Sequence, residues 1–226
     1  MSAVLGRLLL WRDPEARPGP ENMAIDEVLL EHLGSDPLLR IYDWAGDWAS
    51  LGYFQDLAEA RRLFTGQGMH FVRRMTGGGI VDHRRDLTYS LLVPRGSDLA
   101  EGRGDESYRV IHAAVAEALR RSGLAARVLT EDGPGDSAAC FEKGVAWDVA
   151  GEDGAKLAGA GQKRSRDGLL HQGSVLAPEA RGELGWRLPR TLAREAVEWS
   201  PDAGLLARAR VLATEKYATA AWLERR

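Results

Sequence analysis

Apolar residues recur along this chain with two spacings, one suited to strands and one to helices. Residues 5–11 (LGRLLLW) form a short apolar run that predicts a first strand. From Pro18 to Leu33, Ile25, Val28, Leu29 and Leu33 fall at helical intervals, with Pro20 near the start, where its missing N–H costs nothing. Residues 38–44 (LLRIYDW) predict a strand, 48–55 (WASLGYFQ) a strand and a turn at Gly52, and 56–63 a short helix. Residues 69–74 (MHFVRR) read as a strand that enters a glycine loop, and 87–93 (LTYSLLV) as a buried strand. Ser107 is expected to cap a helix running through Arg121, with Val110, Ile111, Ala114, Val115, Ala118 and Leu119 on its inner face. Residues 127–141 leave a strand and cross a turn-rich loop to Cys140. Residues 144–164 predict a hairpin turning near Gly151–Gly154, and 169–177 a third strand beside it. From Arg190 the tail reads as mostly helical. Hairpin-connected strands with segregated helices indicate an α+β fold, and no linker divides the 226 residues, so one domain over 1–226 is expected.

Composition narrows the classes. With 44% hydrophobic and 28% charged residues the chain is ordinary globular protein, long enough to bury a core without disulfide or metal staples. A net charge of −3 argues against a general nucleic-acid binder; local basic clusters at Arg84–Arg85 and at Lys163, Arg164 and Arg166 read first as solvated faces. The single cysteine, Cys140, excludes an internal disulfide and fits a reducing cytoplasm. The N-terminal apolar run is too short for a signal peptide or a membrane span. No phosphate-loop motif and no Cys/His spacing for zinc is present, so neither a P-loop ATPase nor a metal site is expected.

The candidate chemistry lies in residues 73–90, RRMTGGGIVDHRRDLTYS. Gly77, Gly78 and Gly79 let a backbone approach a ligand, and Arg73 and Arg74 place positive charge beside that loop, a combination suited to an anionic or acyl-carrying ligand. Arg73 reads as an exposed ion-pairing residue, and Arg74 as the better ligand candidate. Lys156 stands in a strand-like run of small residues, Ala158, Gly159, Ala160 and Gly161, where it can polarise a carbonyl, stabilise an anion or lower the pKa of a nearby thiol. Cys140 lies sixteen positions earlier; alone it reads as a small buried hydrophobe as readily as a nucleophile. His83 is a candidate for the slot, His171 reads as a packing or orienting residue, and Trp147 is a candidate slot-lining aromatic.

RRMTGGGIVDH (73–83), KLAGAGQKR (156–164) and LLHQGSV (169–175), in that order, resemble the biotin/lipoate ligase and octanoyltransferase superfamily. The stretches NMAIDEVLL (22–30), LRIYDW (39–44) and SLGYFQ (50–55) resemble the start of lipoate–protein ligases, so the likeness covers most of the chain. It implies a mixed, largely antiparallel β-sheet flanked by helices, the catalytic-domain type shared with biotin ligases. It also implies acyl transfer to the ε-amine of a lysine on a lipoyl-carrying domain, such as that of a 2-oxoacid dehydrogenase E2 or the glycine-cleavage H protein. The resemblance assigns the acyl slot to Arg73, Arg74, Thr76, Gly77, Gly78, Gly79, His83, Gly159, Ala160, Gly161 and His171, and the reacting carbonyl or phosphate to Lys156.

Two branches of the superfamily remain open. In one group of octanoyltransferases a Cys-Phe pair upstream of the lysine hairpin takes octanoate from acyl carrier protein as a thioester, without a cofactor; Cys140-Phe141 occupies that place. The other branch activates lipoate with ATP and Mg²⁺. The spacing from Cys140 to Lys156 is one residue longer than the transferase pattern, which an insertion at Gly151–Gly154 absorbs, and Gly79 is more like the ligases. Many ligases carry an additional C-terminal domain; the chain ends soon after Tyr217, so a ligase is expected to need a separate accessory chain. Biotin is the less expected substrate. A non-catalytic acyl-binding relative is a third reading, in which Lys156 is replaceable.

Overall fold

The structure is a computed structural model that describes residues 3–102, 105–132 and 144–225. Among the described residues, eleven strands form two sheets, flanked by seven α-helices. Strand β1 (Leu5–Arg12) leads to helix α1 (Gly19–Glu31), then β2 (Leu38–Tyr42) and β3 (Trp48–Leu51). Helix α2 (Leu57–Leu63), β4 (His70–Arg73), β5 (Ile80–Asp82) and β6 (Leu87–Pro94) follow, then a single-turn α3 (Asp98–Glu101) and the long α4 (Glu106–Arg121). The second half runs β7 (Arg127–Val128), β8 (Val149–Ala150), β9 (Lys156–Ser165), β10 (Gly168–Val175), α5 (Arg181–Leu192), β11 (Ala193–Glu198), α6 (Ala203–Leu212), a π-turn (Ala213–Tyr217) and α7 (Ala220–Leu223).

The main sheet has the order β11-β1-β2-β6-β10-β9-β8-β7, and a smaller one the order β4-β3-β5. In the main sheet β1 pairs in parallel with β11 and β2, and every other pairing is antiparallel. The expected mixed, largely antiparallel sheet with flanking helices is therefore found. One face of the main sheet, carrying Leu39, Leu87, Tyr89, Leu91 and Val93, packs against the inner faces of α4 and α5. The other face, with Leu38, Leu92 and Leu170, packs on α1 and α6. The small sheet forms its own core with α2. No helix among the described residues is long and apolar enough to cross a membrane.

One expectation needs correction, and two strands were not foreseen. Ser107 does not cap α4: Asp105 holds that position without a side-chain cap bond, and the buried Ser107 hydroxyl donates to Gln162 Oε1 at 3.1 Å instead. The tail from Arg190 is mostly helical, as expected, but residues 193–198 (AREAVE) within it form the edge strand β11. Its composition favours a helix, but its position beside β1 supplies backbone partners that a local propensity cannot outweigh. Strand β5, three residues long after the glycine loop, is too short for a periodicity signal and emerges only by pairing with β3.

Candidate active site

Alternation along β6, β9 and β10 places polar or small side chains on the face turned toward α1 and the small sheet. Gly159, Ser174, Thr88 and Tyr42 occupy registered positions on β9, β10, β6 and β2. Three strand spacings separate the first from the last, about 14 Å. A narrow slot follows this row, with Gly159, Ala160, Gly161 and Gln172 on the sheet side and Ser50, Arg74, Val81 and His83 opposite. Its β2 end is closed by Trp44, whose ring stacks on His83 at 4.0 Å between centroids.

The slot is narrow because glycines let its walls approach. A Cβ on Gly161 would stand 2.2 Å from the Gly77 carbonyl oxygen, and one on Gly159 would stand 2.5 Å from Lys156 Cε. The glycine loop therefore folds directly over β9, where the Gly77 amide donates to the Gln162 carbonyl. Gly78 sits at φ +92°, in the region that side chains disfavour.

At the β9 end, Lys156 is buried and its Nζ lies 2.7 Å from Asp148 Oδ2, with 4% and 0% of the two side chains exposed. The Tyr108 hydroxyl donates to Asp148 Oδ1 at 2.6 Å, and the Val145 amide donates to Oδ2 at 2.8 Å. An ammonium held at the head of a narrow, partly apolar slot can stabilise charge developing on a carbonyl oxygen far better than one in water.

Around the slot the predicted residues separate into two sets. Arg74 lines it: NH1 donates to the Ser50 carbonyl and hydroxyl, and NH2 donates to the carbonyls of Gly77 and Gly79. Thr76 donates to Gln172 Oε1 at 2.7 Å, and Gln172 Nε2 in turn donates to the buried Asp26 carboxylate at 2.7 Å, so the loop is tied through the sheet to α1. His83 also faces the slot, its Nε2 2.7 Å from Ser50 Oγ and its Nδ1 2.9 Å from Asp86 Oδ2. Arg73 does not: it is buried rather than exposed, and its guanidinium donates to the carbonyls of Gly52, Tyr53, Gln55 and Leu223. An arginine that satisfies four carbonyls braces a turn and the C-terminal segment instead of pairing with an acid.

His171 lies on the opposite face of the sheet, with Tyr89 OH 3.1 Å from its Nε2 and Gln162 Nε2 2.9 Å from Nδ1. Burial, with a further push from His112, holds its pKa well below the ordinary value, so it stays neutral. Trp147 is not among the slot's lining; its indole N–H donates to Asp105. Cys140 and Phe141 lie outside the described residues. Sequence reasoning missed Asp148, Tyr108, Ser50, Asp86 and Gln172. A signal existed for some of them: Thr88 and Ser90, and Gln172 and Ser174, are polar at alternate positions inside strands otherwise apolar, the mark of a buried polar face.

With this geometry in place, the relatives agree. The chain belongs to the family of the lipoyl protein ligase A/B catalytic domain, whose model matches residues 18–182. It is 38% identical to the octanoyltransferase LipM of Kyrpidia tusciae over 174 residues, 70% of this chain and 63% of that relative. The chain thus spans just under two thirds of the length of the curated relatives it matches. Its fold is similar to that of a bi-partite lipoate protein ligase from Thermoplasma acidophilum, a structure described with its E2 lipoyl domain, at a TM-score of 0.73 and 23% identity over 98% of this chain and 96% of the other. A lipoate-protein ligase A bound with ATP matches at a TM-score of 0.76 and 23% identity, over 97% and 98% of the two chains.

Proposed function

We propose that this protein transfers an octanoyl (or lipoyl) group to a specific lysine of a lipoyl-carrying domain, with octanoyl-acyl carrier protein as the donor. One observation carries the reading: a narrow, glycine-walled slot across β9, β10 and β6 ends beside a buried ammonium, Lys156. The similarity to octanoyltransferases supports the transfer chemistry, and the E2 lipoyl domain described with the Thermoplasma ligase supports the class of acceptor.

In the mechanism, the acyl chain lies across β9, β10 and β6 with its carbonyl near Lys156. The Cys140 thiolate attacks that carbonyl, and the carrier's thiolate leaves as the acyl-enzyme thioester forms. The Lys156 ammonium stabilises the oxyanion of each tetrahedral intermediate. The neutral ε-amine of the acceptor lysine then attacks the thioester, Cys140 thiolate leaves, and the amine's surplus proton returns to solvent, leaving an amide. Arg74 and Thr76 hold the glycine loop closed over the chain. No phosphate chemistry is needed, because the thioester remains activated throughout.

Gly79, the ligase-like third glycine, favours a second reading in which lipoate and ATP form an adenylate held by Arg74, the loop and Lys156. Among the described residues Asp148, the carboxylate beside Lys156, already has both oxygens engaged by Lys156, Tyr108 and Val145, which does not suit it to hold a magnesium ion. Intact-protein mass spectrometry after mixing the enzyme with octanoyl-acyl carrier protein, without ATP, separates the two. An octanoyl mass that is absent from Cys140→Ala and discharges onto an apo lipoyl domain is the expected result. Carrier modification only with lipoate, ATP and Mg²⁺ overturns it in favour of the ligase.

A further inference from the structure

Helix α4 carries two side chains one turn apart, Tyr108 and His112, that reach the same pair of residues, Trp147 and Asp148. His112 Nδ1 lies 2.7 Å from the Trp147 carbonyl. A carbonyl only accepts, so Nδ1 carries the ring proton and Nε2 is a bare acceptor; that atom is buried and has no partner. Trp147 has φ +73°, and it is the one described residue other than glycine in the positive region. A bulky aromatic held there is strained, and such a conformation persists only where the surroundings enforce it. The residue that follows it is Asp148.

Tyr108 engages that carboxylate and the backbone of Ala160. Its hydroxyl donates to Asp148 Oδ1 at 2.6 Å and accepts from the Ala160 amide at 2.9 Å. On the edge of β9 away from β10, Ala160 has no strand beside it among the described residues. Among the described residues, strand β8 pairs with β9 at Lys156 and Ala158, and the Gly77 amide reaches it again at Gln162. Between them the Tyr108 hydroxyl takes the place of a ladder partner. One oxygen thus links the slot wall at Ala160 to the carboxylate that grips Lys156.

We infer that Tyr108 and His112 are positioning residues, a platform on α4 that grips the strained Trp147–Asp148 segment and thereby fixes Lys156 relative to the acyl slot. The inference rests on the reading that Lys156 faces the reacting carbonyl. Tyr108 and His112 touch no substrate in this scheme. They act through Asp148, and the orientation of the ammonium is set from the far side of the sheet.

Tyr108→Phe tests it, since the ring remains packed against His112, 4.1 Å between centroids, while the hydroxyl is lost. The variant is expected to melt cooperatively and to bind octanoate as wild type does, within about twofold, yet to transfer octanoate about tenfold more slowly in kcat, the size of effect a small misplacement causes. Lys156 itself, read by peptide mass spectrometry after brief treatment with an amine-reactive reagent, should label several times faster as its ion pair loosens. In a double-mutant cycle, Tyr108→Phe should add nothing to Asp148→Asn, because both act on the same carboxylate. Independent, multiplying effects with Lys156 labelling unchanged would overturn the platform, as would octanoate binding that falls in step with kcat. Should Asp148→Asn fail to fold, the labelling of Tyr108→Phe alone decides. Should the wild type transfer no octanoyl group, the proposed function fails by itself, while the labelling result still judges the platform.

Discussion

The two faces of β6, β10 and β9 are built from the same strands and do opposite things. Toward α4 and α5 they present Leu87, Tyr89, Leu91, Leu169 and Val175, a close-packed apolar layer threaded by one short line of neutral polar groups, Tyr89, His171 and Gln162. Toward α1 and the small sheet the intervening residues are Thr88, Ser90, Gln172, Ser174 and the glycines of β9, and beneath them Arg40 is buried between Asp13 and Asp26. The first face earns stability by exclusion of water. The second buries charge and hydrogen-bonding groups at a desolvation cost, a poor route to stability, and it keeps an open row in which a ligand can lie. A strand that alternates between the two serves both without compromise, because successive side chains never share a face.

Substitutions at the two faces should separate accordingly, and Lys156 gives the largest contrast. Lys156→Ala removes the ammonium and leaves the Asp148 carboxylate buried without its countercharge, a loss of about 3–5 kcal/mol for a buried pair. Octanoyl transfer should fall by about 10²–10³ in kcat, the range for losing one preorganised stabiliser of an oxyanion. On the other face Leu91→Ala should cost a similar 2–5 kcal/mol, roughly the cost of a core cavity, while kcat per folded molecule stays at the wild-type value. Urea titrations paired with single-turnover kinetics make the comparison; equal kinetic losses at both positions would erase the distinction between the faces.

The faces should also fail in different pH windows. On the α4 side, burial lowers the His112 pKa from 6.5 to about 4, and His171 is lowered in the same direction. A group whose folded pKa is depressed contributes stability that is complete above its unfolded value and is lost as pH falls through the folded one. Stability should therefore decline between pH 6.5 and about 4, by about 3 kcal/mol from His112. Near the slot face the order is shifted. Burial works against the Asp13 carboxylate, but hydrogen bonds and charge from Arg17 and Arg40 outweigh it and hold its pKa below the ordinary 3.8. Its contribution should persist until the pH falls below that value. Denaturant midpoints measured from pH 8 to pH 3 should show two declines, and His112→Asn, which keeps an N–H donor and removes the titrating ring, should flatten the upper one.

Much of this architecture was legible beforehand, and the exceptions share a cause. The main strands, α1, the glycine loop and the lysine hairpin follow from periodicity and from turn residues, which are local. Strand β11, the braced Arg73 and the orientation of His171 depend on partners far away in the chain: β1, the Leu223 carbonyl and α4. Arg73 and Arg74 are adjacent and chemically identical, so no local feature could show that one braces a turn while the other lines the slot. Asp148 and Tyr108 were missed for the same reason. The residues that hold Lys156 come from a helix and a turn whose meeting is a product of the fold.

The smallest effects should fall within the glycines, where sequence treated Gly77 and its neighbours alike. A methyl group at Gly161 would meet the Gly77 carbonyl at 2.2 Å, a backbone contact that cannot yield without displacing the loop. Gly161→Ala should therefore cost about 1–3 kcal/mol, as overpacking does, and should lower transfer by loosening the slot wall. A methyl at Gly77 meets nothing within 4 Å, and its backbone does not require positive φ. Gly77→Ala should leave stability within about 0.5 kcal/mol, the scale of an unconstrained surface change. Its thermal midpoint should be nearly unchanged while the KM for the octanoyl donor rises, because no described atom fills the space beside Gly77, in the loop that covers β9. A variant with both the midpoint and KM at wild-type values would place the acyl chain away from Gly77 and confine the loop's contribution to Arg74, Thr76 and the carbonyls they hold.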